Sequence, residues 1–176
     1  MHAQRFNSIV NFSTPDAALG IHIASPATGK IAQVEQSDPN ALGQGIKLQL
    51  EGQSIHAPVS GTVISLCHSH AKVIIQTRNR LKFLLTLPQA YSAHHGLGVK
   101  ALVCEGQMVS KGQPLFMLDL YKIQMHMRPA WLYVSLLTWD AITRIDVPLK
   151  HVEIDRDTLF TLVGLRQTAT NKLTKK

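Results

Sequence analysis

The 176-residue chain is poor in cysteine, aromatics, acids and long apolar runs, and each shortage removes a class of protein. Two cysteines, Cys67 and Cys104, are too few for the disulfide framework of a small secreted domain, and their strand-like surroundings predict buried free thiols. The longest apolar stretch, Trp131 to Trp139, is broken by Ser135 and Thr138 and reaches about half the length that a membrane helix needs. No basic start followed by an apolar block opens the chain, so no secretory signal is expected and a cytoplasmic location is the default. Acids number 11 against 18 lysines and arginines. The imbalance is concentrated in the tail, with Lys172, Lys175 and Lys176, and in the middle, where Lys72, Arg78, Arg80, Lys82, Lys100 and Lys111 face the single acid Glu105. Such a segment attracts anions. No helix-turn-helix, zinc-finger or RNA-binding aromatic motif accompanies it, so no nucleic-acid partner is expected and most of these cations should solvate strand faces.

What the chain does contain is a repeated turn. Ser25-Pro26-Ala27-Thr28-Gly29-Lys30-Ile31 returns as Ala57-Pro58-Val59-Ser60-Gly61-Thr62-Val63, a small residue followed by Pro-x-x-Gly-x and a β-branched residue. Proline fixes φ and glycine permits positive φ, so each copy predicts a tight turn feeding a strand. The length suits one domain with a sizeable core. A repeat of about 30 residues with no helical period predicts an all-β fold, one antiparallel β-sandwich of two related halves with short helical or irregular connections. Strands are expected near Gly29 to Val34, Ile46 to Leu50, Ser54 to Ala57, Gly61 to Leu66, Lys72 to Gln76, Leu81 to Leu87, Val99 to Val103, Pro114 to Leu118, Leu132 to Leu137 and Thr158 to Val163. Thr77 to Arg80 should close a hairpin, and Leu120 to Met127 a helix or irregular run. Residues Met1 to His22 read as an extension that caps a sheet edge, with Ser13-Thr14-Pro15-Asp16 breaking any regular element.

The ordered set of motifs carries a family resemblance. Ser25-Pro26-x-x-Gly29, Gly43 with Ile46, the Ala57 to Val63 turn, His70-Ala71, and Glu105-Gly106-Gln107-Met108-Val109-Ser110-Lys111-Gly112 follow one another as in the glucose-type enzyme IIA of the bacterial phosphoenolpyruvate-dependent sugar phosphotransferase system. The resemblance runs from about Ile23 to Leu165, dividing the chain into an extension (1–22), a domain of duplicated hybrid-motif type (23–165) and a basic tail (166–176). It implies a carrier that takes a phosphoryl group on a histidine and passes it toward a membrane sugar permease, with protein partners from that system or a regulatory target and no cofactor. Histidine suits the task because a phosphoramidate keeps a high transfer potential and a neutral imidazole is a competent nucleophile near pH 7.

The family places two histidines on neighbouring strands, one accepting the phosphoryl group and one bonding its oxygens. His70 matches the second. Thr86 stands where the acceptor belongs, with Pro88 for the glycine that follows it and Ala90 at an acidic family position. The His70 to Thr86 interval is one residue longer than the family's, which predicts an extra residue in the Thr77 to Arg80 hairpin. The partner-docking segment looks shortened around Pro39-Asn40-Ala41-Leu42. Ordinary phosphohistidine transfer is therefore expected to be impaired.

Three other chemistries compete. His68-Ser69-His70, if extended, would point both imidazoles to one side near Thr86, giving a relocated phosphoryl acceptor or a two-histidine zinc chelate. A zinc peptidase of the lysostaphin type uses such a pair on a related architecture but needs an upstream His and Asp, and His22 has no Asp four residues on. Lys122, after a Gly-rich crossing, is reminiscent of the modified lysine of biotinyl or lipoyl carriers, although its flanks differ. His94-His95 reads as an exposed loop pair from which His95 could reach the depression, while His22, His56, His126 and His151 read as surface or satisfied residues.

Overall fold

A computed structural model describes residues 8–12 and 20–164. The expected basic tail, the segment around Pro15 and most of the extension lie outside the described residues. Fifteen strands, β1 to β15, and one short α-helix form three sheets among these residues. The largest runs β10 (Met108–Val109), β6 (Gly61–Cys67), β7 (Lys72–Gln76), β8 (Lys82–Thr86), β12 (Trp131–Leu136), β4 (Gln44–Leu50), β3 (Gly29–Ala32) and β14 (His151–Val152), antiparallel throughout. A four-stranded sheet places β1 (Val10–Asn11), β13 (Arg144–Asp146), β15 (Thr158–Val163) and β2 (Ile21–Ala24) side by side, and β5 (Ser54–His56), β11 (Pro114–Leu118) and β9 (Val99–Ala101) make the third. This is an antiparallel β-sandwich. The one parallel pair is β1 with β13, where Val10 and Asn11 of the N-terminal segment form the sheet edge.

The two copies of the repeated turn do the same work. The first joins β2 to β3 and the second joins β5 to β6. In each, the turn's first residue exchanges backbone hydrogen bonds with a later crossing: Ser25 with Asp155 and Asp157, Ala57 with Gly112 and Gln113. In each, the hydroxyl before the glycine accepts a backbone N–H from that crossing, Ile154 to Thr28 at 3.1 Å and Lys111 to Ser60 at 2.8 Å. Short strands complete the symmetry: β14 pairs with β3 at Gly29 and Lys30, as β10 pairs with β6 at Gly61 and Thr62.

The glycines of the repeat serve a different purpose from the expected one. Neither Gly29 nor Gly61 has a positive φ. A Cβ on Gly29 would instead run into the Gln49 carbonyl of β4, and one on Gly61 into the Gln76 carbonyl of β7. Close strand approach, rather than a left-handed turn, selects glycine at both places.

Between the layers sits a core led by Phe83, Phe116 and Phe160, all fully buried. Strand β8 is central, and Phe83, Leu84 and Leu85 are buried on both of its faces. Its partner β7 alternates, with Val73 and Ile75 buried between half-exposed neighbours. Cys67 is half-buried, but Cys104 lies exposed in the loop between β9 and β10; both thiols are free, and the expected burial fails for Cys104 because no strand extends that far.

Candidate functional site

The residues after β6 do not continue as a strand. His68, Ser69 and His70 form a single 3-10 turn, and Ala71 takes a left-handed conformation at φ 48° before β7 begins. Short polar side chains bond locally there in competition with a ladder: Ser69 Oγ lies 2.9 Å from His70 Nδ1, and Cys67 Sγ lies 3.2 Å from Ser69 Oγ. The expectation that His68 and His70 project together from a strand therefore fails. His68 is exposed, whereas His70 is only 5% exposed.

His70 is anchored on both sides. Its carbonyl accepts the Leu87 N–H at 3.0 Å, tying the turn to the end of β8. Its Nδ1 faces Ser69 and, at 3.7 Å, Cys67 Sγ. Its Nε2 is buried with no hydrogen-bond partner among the described residues. Burial, and then the Lys72 ammonium, lower its pKa below the ordinary histidine value of 6.5. The ring is thus neutral at pH 7. In the tautomer where the Ser69 hydroxyl donates to Nδ1, Nε2 carries the proton and has no acceptor; in the other, Nδ1 donates to Ser69 and Nε2 keeps a free lone pair.

Thr86 ends β8 and stands opposite Tyr133 on β12. It is buried, and its hydroxyl donates to the Leu87 carbonyl at 2.7 Å. His70 and Thr86 line one depression of about 130 Å³ together with Pro39, Asn40, Lys72 and Gln89. His68 is not among its walls, and neither is His95, which takes a left-handed conformation after the 3-10 helix Gln89–His94. The β7–β8 ladder is unbroken, so it holds no extra residue, and Arg80 adopts φ 62° in the turn beyond it.

A second set of residues, not foreseen from the sequence, supports the rim. Asp38 accepts from Tyr133 Oη at 2.7 Å and from Asn40 N at 2.9 Å, and lies 3.5 Å from Lys47 Nζ. Burial alone would raise the Asp38 pKa, but hydrogen bonds from Tyr133 and Asn40 and the Lys47 charge together lower it. Burial first, and then Asp38, push the Tyr133 phenol well up. Asn40 in turn accepts the Gln89 N–H at 2.8 Å, joining the rim loop to the start of the 3-10 helix. The family resemblance had marked Pro39 to Leu42 as the partner-docking segment, but gave no role to Asp38 or Tyr133.

The remaining candidates disperse. Lys122 lies on α1 (Leu120–His126), with Nζ 3.2 Å from the Asp119 carboxylate that also caps the helix, and not at the hairpin tip a carrier lysine occupies. His22 bonds Thr161, His56 bonds Asp155, and His151 bonds Glu51. Among the described residues no group of three or more His, Cys, Asp or Glu side chains converges as a metal would need, and the exposed His68 beside the buried His70 makes a poor chelate.

Residues 21–141 match the family model of the phosphoenolpyruvate-dependent sugar phosphotransferase system, EIIA 1. The chain belongs to this family. Among relatives of this EIIA chain, the PTS system N-acetylglucosamine-specific EIICBA component of Escherichia coli is 26% identical over 113 residues, covering 61% of this chain and 17% of that protein. The PTS system glucose-specific EIIA component of Bacillus cereus is 28% identical over 107 residues, covering 58% of this chain and 65% of that one. The fold is that of the glucose permease IIA from Mycoplasma capricolum, with a TM-score of 0.71 at 20% identity over 80% of this chain and 94% of that chain. No helix among the described residues is long and apolar enough to cross a membrane.

Proposed function

We propose that this EIIA-type chain serves the sugar phosphotransferase system, in carbohydrate uptake or its regulation, through a depression that holds a phosphoryl group without taking it covalently at Thr86. One contrast carries the reading: the buried His70 Nε2 lacks a partner, while the hydroxyl at the acceptor position is spent on the Leu87 carbonyl. Ordinary transfer makes an N–P bond to the acceptor imidazole as the N–P bond on the donor imidazole breaks. A threonine would give an O–P ester, which does not pass its phosphoryl group on. His70, with Lys72 beside it, can still donate to phosphoryl oxygens. The partners this reading names are the phosphorylated carrier protein and the permease components of the same system, and its location is the cytoplasm, where that donor resides.

The assay is transfer from radiolabelled phosphoenolpyruvate through the purified general components, comparing wild type with Thr86→His and with His68→Ala/His70→Ala. Wild type is expected to stay unlabelled on the time scale of a functional carrier. Rapid acid-labile labelling of wild type would overturn the reading, and its disappearance in the double variant would assign the acceptor to His68 or His70.

A further inference from the structure

A cavity of about 350 Å³ runs along the 3-10 helix Gln89–His94, from Pro88 and Ala90 to His94, between that helix, the C-terminal end of α1 and the start of β12. Its walls include His94, His126, Arg128 and the ring of Trp131, and no carboxylate. His94 and His126 stack with centroids 4.1 Å apart and planes at 27°, and Tyr91 stands 5.2 Å from His94. Neither imidazole, nor the exposed Arg128 guanidinium, has a hydrogen-bond or ion-pair partner among the described residues. Each imidazole carries at least one ring N–H, and stacked rings can donate these to separate oxygens of one anion.

The charged surroundings favour an anion. Tyr91 is committed to the Leu97 carbonyl through its hydroxyl. Asp119, the carboxylate felt by Tyr91, is tied to Lys122 at 3.2 Å. On the β12 side Lys47 lies 4.9 Å from the Trp131 ring centroid, itself held by Asp38 at 3.5 Å. Half-buried Trp131 offers the cavity's largest flat surface. We propose that this cavity binds a small phosphate monoester carried on a ring, with the phosphate held by His94, His126 and Arg128 and the ring laid against Trp131. Arg forks and imidazoles match phosphate oxygens, and an aromatic face suits either a sugar or a base. The site shares no lining residue with the His70 depression, which lies beside it: Pro88 and Ala90 line the one, Thr86 and Gln89 the other.

Calorimetric titration with adenosine 5′-monophosphate, glucose 6-phosphate, inorganic phosphate, adenosine and glucose tests it, the first two distinguishing a base from a sugar as the ring. At least one monoester should bind, about tenfold or more tighter than inorganic phosphate and than its own unphosphorylated ring. His126→Ala/Arg128→Ala, both exposed positions, should weaken that binding about tenfold or more, since charge-assisted hydrogen bonds are lost. The titrations are repeated in His70→Gln, which removes any binding that belongs to the His70 depression and should leave the monoester binding of this cavity, and circular dichroism melts confirm that each variant is folded. Failure of both monoesters to bind at about 10 mM, equal binding of inorganic phosphate, unchanged binding in the double variant, or loss in His70→Gln would each overturn the proposal.

Discussion

In the reading proposed above the Thr86 hydroxyl stands in for a nucleophile; it donates its proton to the Leu87 carbonyl, while His70 Nε2 sits buried with no partner among the described residues. The second fact has a measurable consequence. Because the folded His70 pKa lies below 6.5, the unfolded chain binds the proton first as pH falls. The stability contributed by the neutral ring is present above the unfolded value and is lost as pH falls through the folded one. Nuclear magnetic resonance titration should place the His70 midpoint below 6.5, and the urea stability of wild type relative to His70→Gln should decline from pH 7 toward pH 5. A midpoint above 6.5 would contradict the burial account. That His70 and Thr86 line one depression was legible because the family resemblance sets them close, and the turn that carries His70 is tied to the end of β8 through the Leu87 N–H. The exposure of His68 was not, because a 3-10 turn built from Ser69 and Cys67 side-chain contacts leaves no periodic signal.

Among the elements, most strands of five or more residues were readable, as were the three-residue β5 and β9, which start where expected, but other short strands were not. β7, β11 and β15 fall at their expected bounds, whereas β13 and β14, of three and two residues, carry too little alternation to register. The second crossing of the repeat was hidden for a related reason. Gly112 at φ 82° announces its turn, but the matching left-handed position, at φ 59°, is filled by Asp155, one of the few residues that tolerates it. The role of glycine in the repeat yields a sharp contrast. Gly29→Ala and Gly61→Ala push a methyl group into a neighbouring carbonyl and should each cost about 1–3 kcal/mol or more in urea unfolding. Gly106→Ala, at φ 82° with nothing within 4 Å of the new carbon, should cost only the left-handed penalty, about 1 kcal/mol. Equal losses at all three would mean that backbone conformation and not strand approach governs the repeat.

For the molecule as a whole, the charge balance bears on which partner can dock. The net charge is +7, Lys72 lines the depression, and Ala90, which the sequence resemblance sets at an acidic family position, is exposed. On the proposed reading a basic donor protein would meet a basic face, where like charges slow encounter and remove the steering that opposite charges give. Restoring the nucleophile is accordingly only half a repair. Thr86→His should gain acid-labile label slowly, and Thr86→His/Ala90→Asp should be labelled faster by roughly tenfold at low salt, the size of a modest steering effect. The advantage of the double variant should shrink as ionic strength rises from about 0.01 M to 0.15 M, because the Debye length falls from about 30 Å to about 8 Å. A double variant no faster than Thr86→His, or a salt-independent gain, would show that docking is set by the shape of the Asp38 to Leu42 rim rather than by the charge around it.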